Sequence, residues 1–243
     1  MFFFFKKSKI IVDCFTYQEH VLELSPIEKA NKFIPEWFKH TPRETSSPNV
    51  LTPNVTIKEC RGVIDTYDQG YIIPLWSDFA MEVKDKRYSW TYSDSISTAH
   101  PHPHTQWDTF TDHHNVGHIK LATPWLIHTK KDIMWSCIDP FWNNRLQTEY
   151  ITIPGVINFK YQHAISINLF FSLQDKLIRI KHGHPMYHLI PLTEYKTELR
   201  YHVVSHHEFK EKNNVQFSFY NQYIKRKNII KNKEKQCPFH WKK

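Results

Sequence analysis

The sequence predicts a mainly β protein with helical ends, and three observations carry that expectation. Between Val55 and about Leu192, short β-branched and aromatic runs recur between polar or proline breaks, several with the period of two of a half-buried strand. Two capping boxes, Ser25-Pro26-Ile27-Glu28 and Ser205-His206-His207-Glu208, flank that stretch. Only five glycines occur (Gly62, Gly70, Gly117, Gly155 and Gly183), at spacings that fit neither a dinucleotide fingerprint nor a P-loop.

Residues 1–54 read as an N-terminal arm. Lys9 to Phe15 and Thr16 to Leu24 are short extended pieces with an apolar bias. The box at Ser25 should start a helix, with proline at its first position, that ends before Pro35. Glu36 to Lys39 is at most one further turn, and Thr41 to Pro53, rich in proline and serine, is a loop. Residues 55–193 form the β-rich core. Its expected strands are 55–57, 71–75, 79–83, 88–92, 119–121, 125–127, 133–136, 151–153, 165–171, 177–180 and 186–191, a spacing that suits a barrel or sandwich. Residues 194–243 read as a helical, basic tail, with a helix from Ser205 to about Lys231.

Composition narrows the class. The 243 residues include 37 aromatics and are 40% hydrophobic, enough for one sizeable core and too aromatic for disorder. No apolar run reaches the roughly 18 residues that cross a bilayer, so no membrane partner is expected. Met1 to Phe5 followed at once by Lys6-Lys7 has the wrong order for a signal peptide. Of the net charge of +8, the segment from Ile224 to Lys243 carries +7. That tail is either a solvated helix end or a handle for weak polyanion binding. The four cysteines, Cys14, Cys60, Cys137 and Cys237, lie far apart and read as free thiols of a reducing cytoplasm.

Two segments resemble the dUTPase and dCTP deaminase superfamily. Ile153-Pro154-Gly155-Val156-Ile157-Asn158-Phe159-Lys160-Tyr161-Gln162-His163-Ala164-Ile165 is similar to its G-V-I-D-x-x-Y-x-G-x-I segment. Gly183-His184-Pro185-Met186-Tyr187-His188-Leu189-Ile190 resembles its G-x-x-x-A-Q-L-I segment. The resemblance implies a β-clip fold, often trimeric, and the aromatic load independently suits a subunit interface. A longer pattern resembles an uncharacterised family of tailed phages and bacteria. It runs through Ile34-Pro35-Glu36-Trp37-Phe38-Lys39, Tyr71-Ile72-Ile73-Pro74-Leu75-Trp76-Ser77-Asp78, Pro124-Trp125-Leu126-Ile127 and Gly183-His184-Pro185. It implies a phage-encoded protein, placed in the cytoplasm of an infected cell or in the virion.

The superfamily resemblance also implies a ligand pocket. Tyr161 matches the tyrosine that stacks under the deoxyribose, Asn158 stands for the aspartate, His163 for the following glycine and His188 for the glutamine. Asp78 stands where a first β-clip motif would place a metal-binding aspartate, although a turn carboxylate is the plainer reading. The Ser/Arg phosphate segment has no counterpart, since Trp135-Ser136-Cys137-Ile138-Asp139 stands there, and no glycine follows Gly183 to build a lid. Phosphate gripping of that kind uses backbone N–H groups brought close by glycine. Hydrolysis of dUTP or deamination of dCTP is therefore not expected.

Seventeen histidines point elsewhere. His100, His102 and His104 recur at alternate positions, so an extended backbone would present them on one face, as a divalent metal requires. Asp108, His113, His114 and His118 follow, and His182 and His184 flank Gly183. The plain alternative is a proline-stiffened surface loop whose histidines are solvated. The functional expectation is thus a non-catalytic dUTPase-like protein that binds a nucleotide or other small molecule, or serves assembly. Two alternatives stand beside it: a metal-dependent enzyme using the loop 100–118, and a diverged nucleotide hydrolase or deaminase.

Overall fold

The computed structural model describes residues 9–45, 54–143, 149–213 and 222–235. The chain begins with β1 (Ile10–Thr16), whose alternate residues Ile10, Val12 and Cys14 are buried. Then come α1 (Glu19–Leu24), β2 (Glu28–Lys29), a 3-10 turn (Ala30–Phe33) and α2 (Glu36–His40). The Ser25 box does not start a helix. The Ser25 hydroxyl instead hydrogen-bonds the His182 ring, Ile27 is fully buried, and Glu28 and Lys29 are drawn into a sheet.

The expected loop 41–53 holds β3 (Glu44–Thr45), which pairs with β4 (Asn54–Val55); residues 46–53 lie outside the described residues. A 3-10 turn (Ile57–Glu59) capped by Thr56 and then α3 (Arg61–Asp68) follow, where β texture was expected. Val63 and Tyr67, four apart on α3, pack with Phe38 in a small satellite core.

The expected strands then arrive in order: β5 (Tyr71–Pro74), β6 (Phe79–Lys84), β7 (Arg87–Tyr92), and also β8 (Thr98–Pro101). The β6–β7 turn is only Asp85-Lys86, both at positive φ (49° and 59°), the two-residue geometry that matches strand twist. Two expected strands fuse into one, β9 (Val116–His128). Pro124, which cannot donate to the ladder, lies at the register shift where β9 meets β13, with the Thr123 hydroxyl donating to the Ile165 carbonyl at 2.9 Å. The remaining strands are β10 (Trp135–Ile138), β11 (Tyr150–Thr152), β12 (Gly155–Ile157), β13 (Ala164–Ser172), β14 (Lys176–Ile180), β15 (Pro185–Pro191) and β16 (Thr197–Val203). The chain continues through α4 (His206–Asn213) and α5 (Gln222–Lys235); residues 214–221, inside the expected long helix, lie outside the described residues.

The chain is mainly β. Its largest sheet runs β11-β13-β9-β1-β16 with β8 also on β9, a second runs β12-β10-β15-β5-β2, and a third β14-β6-β7. Strands β1 and β16, in segments expected as arm and tail, therefore belong to the largest sheet, where they pair in parallel. One buried cluster draws from all three sheets, including Val12, Ile73, Met81, Trp125, Trp135, Ile167 and Ile178. Among the described residues no helix is long and apolar enough to cross a membrane.

Candidate functional site

The largest sheet presents two faces. Toward the core, β13 and β9 bury Ile167, Leu169, Ile119 and Leu121 completely. On the opposite face the register sets His100, Lys120 and Asn168 in one row across β8, β9 and β13, with Ala122 and Ser166 in the next. This polar strip lines one pocket and is linked to a second by the bond between Asn168 and His118.

The first pocket, of about 530 Å³, lies between the strip and the second sheet. His100, Lys120, Gln162, Ser166 and Asn168 supply its polar lining, and Gly155, Val156 and Ile157 of β12 stand in its wall with Tyr187 and Cys137. Among the described residues no carboxylate lines it and none forms a salt bridge with Lys120. An anion would there meet a cation whose charge is not already spent. The Cys137 thiol, pushed up to about 12 by burial, stays protonated and is a poor nucleophile.

The second pocket, of about 350 Å³, opens beyond Asn168 and is lined by four histidines, His102, His104, His113 and His118, with Tyr88, Trp107 and Lys86. The His118 ring is buried, and its Nε2 donates to the Asn168 side-chain oxygen at 3.2 Å. Burial, helped by the neighbouring His102 and Lys120, lowers its pKa to about 4, so it is neutral near pH 7. Burial, then Lys120, lowers His102 as well. Two rings stack in parallel on others: His102 on His118 at 4.5 Å and 15°, and His104 on His113 at 4.6 Å and 17°.

The three alternate histidines are thus separated. His100 joins the first pocket, while His102 and His104 stack on different partners in the second. Among the described residues, the cluster whose donor atoms do gather is Asp112, His113 and His114.

Asn158 and Tyr161 converge elsewhere, on a carboxylate that sequence reasoning missed. Asn158 Nδ2 donates to Asp132 Oδ1 at 2.7 Å, and the Tyr161 hydroxyl to Asp132 Oδ2 at 2.6 Å. Burial alone would raise the Asp132 carboxyl, but those two donors, with Lys231 and Lys160, bring it below its ordinary value. The Tyr161 ring is 0% exposed, with Lys160 and Lys227 of α5 both over it at 5.6 and 5.7 Å. Helix α5 is tied down by Lys160 to Glu234 (2.7 Å) and Lys231 to Asp132 (3.7 Å). His163 lines a smaller cleft beside α5, with its ring against His128.

Two other sequence candidates have structural partners. His188 is 2% exposed and donates through Nε2 to the Gln69 carbonyl at 2.7 Å, tying β15 to the loop before β5. Asp78 is exposed and accepts from the His182 backbone N–H at 2.7 Å. Lys120 and Asp132 were missed because each acts through partners distant in sequence. The one available signal was a lysine between Ile119 and Leu121, on the polar face of an expected strand.

The chain matches no protein-family model and no curated protein.

Proposed function

We propose that the protein binds a small anionic molecule of nucleotide size in the pocket between the polar strip and β12. One observation carries this reading: a cavity of about 530 Å³ lined by the Lys120 cation and, among the described residues, by no carboxylate. Clefts of roughly 300–1,000 Å³ accommodate ligands of that size. Lys120 would hold the anion, His100 would add a hydrogen bond, and Gln162 and Ser166 would orient the neutral part of the ligand. The wall includes Gly155-Val156-Ile157 of the dUTPase-like segment, but none of Asn158, Tyr161, His163, His188 and Asp78, the residues that resemblance pointed to, lines this pocket.

The wider proposal is a β-clip-type, non-catalytic phage protein, a homotrimer working in the infected cell or in the virion. Its basic C-terminal segment would add weak polyanion binding. The test is calorimetric titration of the full chain with UMP, dUTP and inorganic phosphate. Binding that weakens at least tenfold in Lys120→Ala, with the fold retained by circular dichroism, supports the reading. Absence of binding at millimolar ligand, or equal affinity in Lys120→Ala, sinks it.

A further inference from the structure

The turn leading into β9 gathers the ligand atoms of three adjacent residues. The N–H groups of Asn115 and Val116 both donate to the Asp112 carbonyl, at 3.1 and 3.0 Å, which closes the turn. One donor atom each from Asp112, His113 and His114 lies within 4.8 Å of the other two.

We propose that Asp112, His113 and His114 bind a divalent transition ion of the Zn²⁺ class at the rim of the histidine pocket. Two imidazoles with one carboxylate suit Zn²⁺, Co²⁺, Ni²⁺ or Fe²⁺ rather than Ca²⁺ or Mg²⁺, which prefer all-oxygen shells. The carboxylate is oriented in advance: Oδ1 accepts from the His114 N–H at 2.9 Å and Oδ2 from Asn115 Nδ2 at 2.6 Å. An ionised carboxylate offers about four lone-pair directions, so it retains capacity for a cation. The His113 and His114 rings are already close, with centroids 4.0 Å apart.

His104 braces the site without completing it. Parallel stacked rings aim their lone pairs side by side rather than at one point, so His104 fixes the plane of His113 and leaves other coordination positions to water or an incoming group. The pocket behind has unclaimed polar capacity for such a group. His118 is 7% exposed, its Nδ1 has no hydrogen-bond partner, and Nδ1 of His102 is likewise unpaired. Both rings line the pocket that His113 lines.

The test uses full-length protein made without a polyhistidine tag, stripped with EDTA and titrated with Co²⁺, then Zn²⁺. The expected result is one ion per chain, a visible Co²⁺ spectrum, and a melting temperature raised by Zn²⁺. His113→Ala and His114→Ala should each weaken binding at least tenfold, while His100→Ala leaves it unchanged. Circular dichroism separates loss of a ligand from loss of fold, and the exposed His114 makes its variant the safer of the two. Absence of stoichiometric binding, or undiminished binding in folded His113→Ala and His114→Ala, overturns the proposal.

Discussion

At the scale of single residues, Asp132 does more for the fold than its half-exposed position suggests. It is the shared acceptor for two buried donors, the Asn158 amide and the Tyr161 hydroxyl. Removing it takes that acceptor from both, although the Asn158 amide keeps Met134 Sδ at 3.5 Å, and a lost buried hydrogen bond costs about 1–3 kcal/mol. Asp132→Ala should therefore lower unfolding stability by about 1–3 kcal/mol in urea titrations, and Asp132→Asn, which keeps one acceptor oxygen, by less. His118 makes a prediction of opposite chemistry. Its folded pKa of about 4 lies below the ordinary histidine value, so between about pH 6.5 and 4 the unfolded chain binds the extra proton. Its contribution is complete near neutrality and is lost as the pH falls through that window. His118→Gln should flatten the fall in stability between pH 7 and 4.5 by about 2 kcal/mol. His102, His184 and His188, lowered chiefly by burial, would preserve the remaining slope.

At the scale of elements, period-two patterning was the legible part of the chain. Ile165, Ile167, Leu169 and Phe171 alternate in the sequence and are all buried along β13. Patterning failed where a local signal had a stronger distant competitor. The Ser25 box reads as a helix start, yet β5 claims Glu28 and Lys29 as a strand. Helix α3 was hidden because Gly62-Val63-Ile64 is poor helix sequence, and burial of Val63 and Tyr67 against Phe38 overrides propensity. The β6–β7 turn shows a similar compromise, since Asp85 and Lys86 hold a left-handed backbone that lysine tolerates poorly. Replacing the pair with Asn-Gly should raise stability by about 0.5–1 kcal/mol, read as an increase in denaturation midpoint with an unchanged slope. A lowered midpoint would mean that the bond from the Asp85 N–H to Asp175, at 3.0 Å, depends on the present residues.

At the scale of the whole molecule, the candidate sites depend on long-range register, which is why the sequence disclosed their residue types and not their grouping. His100 meets Lys120 across a strand pair, and Lys120 meets Asn168 across the next. Spacing of alternate histidines foretold a shared face, but not the stacking that sends His102 and His104 to separate partners. The same sheet also sets the timetable of synthesis. Strand β1 lies between β9 and β16, and every rung of its parallel pairing joins residues 187 apart, as Ile10 with Thr197. A ribosome adding roughly 5–20 residues per second delivers the last partner some ten seconds or more after the first. Throughout that delay the nascent chain carries an unpaired strand edge, a template for neighbouring chains on the same message. Its rungs can close only after residue 197 has been made, so a ribosome that stops before it releases a chain whose largest sheet lacks its last strand.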